Sequence, residues 1–165
     1  MRYRVVLIAL ASSCLLAGCA SGPGFALDAV NAGLKPAAAA RADADAAGQK
    51  VLWGGRIIQV VPGPEHTTLE VVSFPLRRNQ QPDTSGGSEG RFLMWYPGYL
   101  EPEDYQAERL VTVVGTVREA RTGQVGEAEY RYPVIVVDEL YLWPEQRESA
   151  SEPRVRFGLG IGIMR

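Results

Sequence analysis

Glu101, Glu103 and Asp104 stand close together in the chain, and paired carboxylates at a suitable separation can cleave glycosides by acid–base chemistry. Beside Pro102 they read instead as the solvated first turn of a helix, where acids meet the positive end of the helix dipole. His66, the single histidine, has the side chain of a general base, but it follows Pro64 and Glu65 in a predicted hairpin loop with no nucleophile near it. Ser73, Ser85 and Ser88 lie in no nucleophile elbow or phosphate loop. One histidine and two cysteines, Cys14 and Cys19, cannot assemble a zinc tetrad. The chain therefore reads as non-enzymatic, with no catalytic residue, metal site or cofactor expected.

Aromatic and basic residues offer a different chemistry. Trp53, Trp95, Tyr96, Tyr99 and Tyr105, with Arg56 and Arg91, resemble the face with which OB-fold barrels bind oligonucleotides or oligosaccharides. Trp53 and Trp143 are better placed in a core. Tyr96 and Tyr99 flank Pro97-Gly98 in a loop, so the candidate ligand-binding set is Tyr96, Tyr99, Tyr105 and Arg91. The net charge is −2, without the basic excess that phosphate backbones demand. Glycan or peptide is the expected ligand class, and nucleic acid is not an expected partner.

Cys19 carries the most specific signal. Arg2 and Arg4 precede an apolar run from Val5 to Leu16, too short for the roughly 20 residues of a membrane span and matching a secretory signal peptide over residues 1–18. Leu16-Ala17-Gly18-Cys19 has the form of a bacterial lipobox, in which the thiol accepts a diacylglyceryl group; an ordinary signal peptide with a chance cysteine is the alternative. Losing Arg2 and Arg4 with the leader moves the net charge from −2 to −4. Cys14 leaves too, so no internal disulfide is possible and stability must come from packing. Several acyl chains hold a protein firmly where one does not, so the outer membrane is the expected partner through Cys19. Ala20 and Ser21 stand where an aspartate would retain a lipoprotein at the inner membrane.

These residues must be positioned by elements the pattern also predicts. Residues 19–48 are rich in Ala, Gly and Asp and read as a lipidated tether, with a short helix from Ala37 to Ala47 opened by Pro36 and stopped by Gly48. Residues 49–145 change to short runs of Val, Ile, Thr and aromatics. Strands are expected near 51–61, 67–75, 91–97, 109–119 and 132–143, with a bulge or bend at Gly54-Gly55 and a mobile loop over 81–90. Val111, Val113 and Val117 alternate with Thr112, Thr116 and Arg118, so one face is core and the other wetter. A short helix between strands three and four completes the layout of a mainly β protein, a small antiparallel OB-like barrel; an open sandwich or a plain meander fits the same strands. Residues 146–165 form a charged linker and a glycine-rich strand, with Val155, Phe157, Leu159, Ile161 and Ile163 on one side. That strand is expected to pack on its own domain, touch lipid, or pair with an envelope protein through residues 155–165.

Val51-Leu52-Trp53-Gly54-Gly55-Arg56-Ile57, Leu69-Glu70-Val71, Phe74-Pro75-Leu76, Gly90-Arg91-Phe92, Val111-Thr112-Val113-Val114-Gly115, Gly126-Glu127, Tyr130-Arg131-Tyr132-Pro133-Val134 and Leu142-Trp143 together resemble the Slp family of starvation-inducible outer-membrane lipoproteins. The resemblance runs in order from the lipobox to Trp143. Glu108 departs from it, standing where the family pattern has a glycine. The resemblance implies a lipid-anchored protein of the cell outer membrane, facing the periplasm and linked to stationary-phase or stress maintenance of the envelope. It implies no catalytic residues. The alternative is an OB-like binding module for periplasmic glycan or a small ligand.

Overall fold

The computed structural model describes residues 22–145; the signal segment, Cys19 and the stretch 155–165 lie outside the described residues. Pro36 opens helix α1, Pro36–Ala42, whose alanine run passes into a 3-10 turn at Asp43–Asp45. Alanine-rich helices this short do not hold alone. Here Ala39, Ala40 and Ala46 are buried and α1 packs on β3 and β5.

The strands are β1 Lys50–Pro62, β2 His66–Ser73, β3 Gly90–Pro97, β4 Leu110–Val125 and β5 Ala128–Leu142. They close into a five-stranded ring in the order β1-β2-β3-β5-β4 and back to β1. Every neighbouring pair is antiparallel except β3 and β5, and closure gives each strand a partner on both sides. β1 achieves this by pairing with β4 over Lys50–Arg56 and with β2 over Gly55–Pro62.

Period-two alternation is corrected at three one-residue slips. On β1 the register to β2 shifts between Ile57 and Gln59, which lets Ile57 and Val60 share the core. On β5 the shift at Asp138 does the same for Val137 and Leu140. The third slip falls on β4 between Arg118 and Arg121. The bulge expected at Gly54-Gly55 is thus displaced to Ile58. The two glycines serve close approach instead: a Cβ on Gly55 would lie 1.9 Å from the Val72 carbonyl oxygen, and one on Gly54 2.9 Å from that of Val111.

Three further expectations are corrected. The β3–β4 connection contains one turn rather than a helix: Asp104 and Tyr105 N–H groups donate to the Glu101 carbonyl, but Glu108 N–H is already drawn to Ile57 O, 2.9 Å away. That ladder bond stops the turn from propagating. β4 and β5 extend to a tight hairpin at Gly126-Glu127, well past the expected ends. The 81–90 segment is pinned: Asp83 N–H donates to Pro75 O at 2.8 Å, and Arg77 pairs with the Asp83 carboxylate at 2.9 Å.

The core holds Val51, Trp53, Ile57, Leu69, Val71, Phe92, Met94, Val111, Val113, Val117 and Ile135. Trp53 meets Phe92 edge-on at 5.1 Å and donates its indole N–H to Leu34 O at 2.7 Å. Thr112, on the face expected to be wetter, is fully buried. Trp143 covers it, donating its indole N–H to the Thr112 hydroxyl at 2.9 Å, and that hydroxyl donates to Gln80 O.

Candidate functional site

The tyrosines of the candidate set cluster where β3 leaves the barrel. Tyr96 and Tyr105 are partly buried against the core, and Leu100 between them is buried, its N–H donating to the Thr67 hydroxyl at 3.0 Å. Burial first, then the neighbouring Tyr96 hydroxyl and Asp104 carboxylate, push the Tyr105 pKa upward. Only Tyr99 stands open, 62% exposed, with its hydroxyl donating to the Glu101 carboxylate at 3.2 Å. Arg91 is not with them: it lies near the opposite end of β3.

There Arg91 belongs to a network on the outer face. Its guanidinium pairs with Glu70 at 2.6 Å, and the Tyr132 hydroxyl donates within 3.1 Å of the same carboxylate oxygen. Arg91 N–H donates to the Tyr130 hydroxyl at 2.8 Å, and the two tyrosine rings meet edge-on at 4.7 Å. Burial first, then the Glu70 charge and hydrogen bond, push the Tyr132 pKa up to about 12. The arrangement is a saturated polar network that fixes the β4–β5 hairpin to β3.

Further along the same face Trp95 stands half-buried, with the Arg121 guanidinium 4.4 Å from its ring centroid and His66 at 5.0 Å on another side. His66 opens β2 and is half-buried rather than in an exposed loop. No triad forms around it: the Ser73 hydroxyl is buried and donates to Gly54 O, and Ser85 donates to Asp83. Glu101 accepts from Tyr99, and Glu103 from Gln106. Among the described residues no cluster of His, Cys, Asp or Glu could hold a metal ion, and no helix is long and apolar enough to cross a membrane. Arg118 is read in the sequence only as part of the wetter strand face, and Arg121 lies beyond the expected strand end at 119; Gly126-Glu127, a two-residue turn between alternating segments, is the signal for the longer hairpin.

These features define a small closed β-barrel domain with an aromatic and basic outer face and no assembled catalytic centre among the described residues. The chain belongs to the outer membrane lipoprotein Slp family, whose sequence profile matches residues 16–159. It is 29% identical over 96 residues to the outer membrane protein Slp of Escherichia coli, covering 58% of this chain and 50% of that one. It is 30% identical over 107 residues to the uncharacterized lipoprotein YeaY of the same organism, covering 65% and 55%. An uncharacterized protein of Haemophilus influenzae is 33% identical over 94 residues, covering 56% and 51%. The chain spans about half the length of the curated relatives it matches. Similar solved structures include OBody NL8 bound to hen egg-white lysozyme, at 13% identity, 59% of this chain, 97% of that chain and a TM-score of 0.36. The mitochondrial single-stranded DNA binding protein Rim1 of S. cerevisiae matches at 18% identity, 58% and 94% coverage and a TM-score of 0.36.

Proposed function

We propose that this chain is a non-enzymatic envelope lipoprotein, anchored by acyl chains on Cys19, that holds its barrel on the periplasmic side of the outer membrane and acts through contacts during stationary phase or stress. The observation that carries this reading is the start of the family match at Leu16, the first residue of Leu16-Ala17-Gly18-Cys19. The match thus takes in the cysteine that would be modified. Two or three acyl chains, each buried methylene contributing about 0.8 kcal/mol, give a stable hold. The residues 155–165 are the proposed contact for an envelope protein.

Cys19→Ala tests the anchor. Expected is an unprocessed precursor, lost from the outer-membrane fraction; normal processing and recovery there would overturn it. A second reading, a binding module, is favoured by the exposure of Tyr99 beside Tyr96 and Tyr105. On that reading Tyr99→Ala abolishes a saturable fluorescence response to peptidoglycan fragments.

A further inference from the structure

A cleft of about 520 Å³ opens on the outer face of the barrel, and none of the rim tyrosines lines it. Its floor is one row across three strands: Thr116 of β4 pairs with Val136 of β5, which pairs with Trp95 of β3. One wall is Ala47-Gly48, just before β1. The other is β4 at its register slip, with Arg118 and Arg121.

The slip makes this wall. Residues three apart on a regular strand point to opposite faces, so Arg118 and Arg121 would be divided between core and solvent. The inserted residue restores both to the outer side, and the Ala120 N–H in the bulge is held by the Asp43 carboxylate at 3.1 Å. Both arginines are exposed, and neither forms an ion pair among the described residues. The neighbouring charges are already matched, Lys50 with Asp138 and Arg131 with Asp43. Glu119 is the one acid of the cleft lining.

The Arg121 guanidinium carbon lies over the Trp95 ring, 4.4 Å from its centroid. A guanidinium lying over an indole keeps its in-plane N–H donors free while its orientation is restrained. The cleft therefore presents two donor forks for an anion beside the Thr116 hydroxyl, the Val136 side chain and the Trp95 indole. Carboxylate and phosphate fit such forks, and the floor suits a ring with both apolar C–H and hydroxyl groups. The volume lies in the range of small-ligand clefts. A bare nucleic-acid backbone fits less well, because the chain as a whole is acidic.

We propose that the cleft between Ala47-Gly48 and the Arg118–Arg121 bulge is a binding site for an anionic saccharide, its charged group held by Arg118 and Arg121 and its ring set against Trp95. This is independent of the lipid anchor and of the tyrosine rim.

The test is titration calorimetry on the full processed protein in detergent micelles. The probes are N-acetylmuramic acid, N-acetylglucosamine 6-phosphate, neutral N-acetylglucosamine and inorganic phosphate. Saturable binding of either charged sugar is expected, the muramic acid marking a cell-wall source and the phosphate ester a phosphorylated headgroup source. Arg118→Gln and Arg121→Gln, at exposed sites that leave the circular dichroism unchanged, should each weaken it by about tenfold, as the loss of one charge-assisted hydrogen bond does. Tyr99→Ala should leave it intact, which separates this site from the rim. The proposal is overturned if neither charged sugar binds, if the neutral sugar binds equally well, if inorganic phosphate binds as tightly as its sugar ester, or if the double arginine variant binds like the parent.

Discussion

Glu108 has φ 74, the left-handed region where a side chain costs about 1–2 kcal/mol relative to glycine. Glycine adopts such a φ without that cost. The Glu108 carboxylate pairs with Arg56 at 3.1 Å but is 72% exposed, and such surface pairs contribute little. Glu108→Gly should therefore stabilise the domain, by about 0.5–1 kcal/mol once glycine's extra chain entropy is set against the relieved strain; chemical denaturation would measure it. Tyr132 gives a pH dependence. Its folded pKa is raised from 10 to about 12, so the folded state holds this proton more tightly than the unfolded chain. That contribution is complete below pH 10 and is lost as pH rises through about 12. Tyr132→Phe should cost about 1 kcal/mol at neutral pH through the lost hydrogen bonds. It should also flatten the alkaline fall in a pH series of urea midpoints.

Glycines in the strands and turns separate two physical demands that look identical in sequence. Gly55 has no room: its Cβ would meet Val72 O at 1.9 Å, so Gly55→Ala should force β1 and β2 apart and cost about 3 kcal/mol. Gly126 has open space but φ 60, so Gly126→Ala should cost only about 1 kcal/mol. Equal thermal shifts for the two would contradict this division. The same distinction explains how much could be read beforehand. The five strands were legible because Val111, Val113 and Val117 recur with period two on the core face and the tryptophans Trp53 and Trp143 sit within apolar runs, whereas the burial of Thr112 on the other face was not. The slips at Ile58 and Asp138 were not, because a bulge breaks period two locally and its position depends on the register with the partner strand. The turn at Glu101–Tyr105 read as a helix because its proline and acids suit one, whereas the bond from Glu108 to Ile57 that ends it joins positions far apart in sequence. Of the candidate site, Trp95 and the tyrosines could be named, but not the placement of Arg121 over the Trp95 ring, which depends on the third slip.

For the whole molecule, the lipid-anchored reading fixes an orientation. Gly22 lies against the turn at Asn79, close enough that a Cβ on it would sit 2.0 Å from the Asn79 carbonyl oxygen. Cys19 precedes it by three residues, which span about 11 Å at most even when fully extended. On that reading, acyl chains on Cys19 would bring the turn around Asn79 to the bilayer. That turn suits the position. Arg78 is exposed and forms no ion pair among the described residues. Asp83 is held by its hydrogen bonds to Arg77 and Ser85 at a pKa of about 2, so its bond to Arg77 stays charged in any physiological medium. An arginine near an anionic membrane surface is worth about 1 kcal/mol. The Gly126-Glu127 tip lies far along β4 from Thr112, the residue that touches Gln80, and should point away from lipid. The processed chain has no cysteine besides Cys19, so single probes on Arg78→Cys and Glu127→Cys can be read without background. In vesicles containing brominated lipid, the probe at 78 should be quenched and the probe at 127 should not. Equal quenching at both would mean that the barrel tumbles freely on its anchor, and an Arg78 probe quenched only after Gly22→Ala would mean that the contact with Asn79 holds the turn away from the membrane instead of against it.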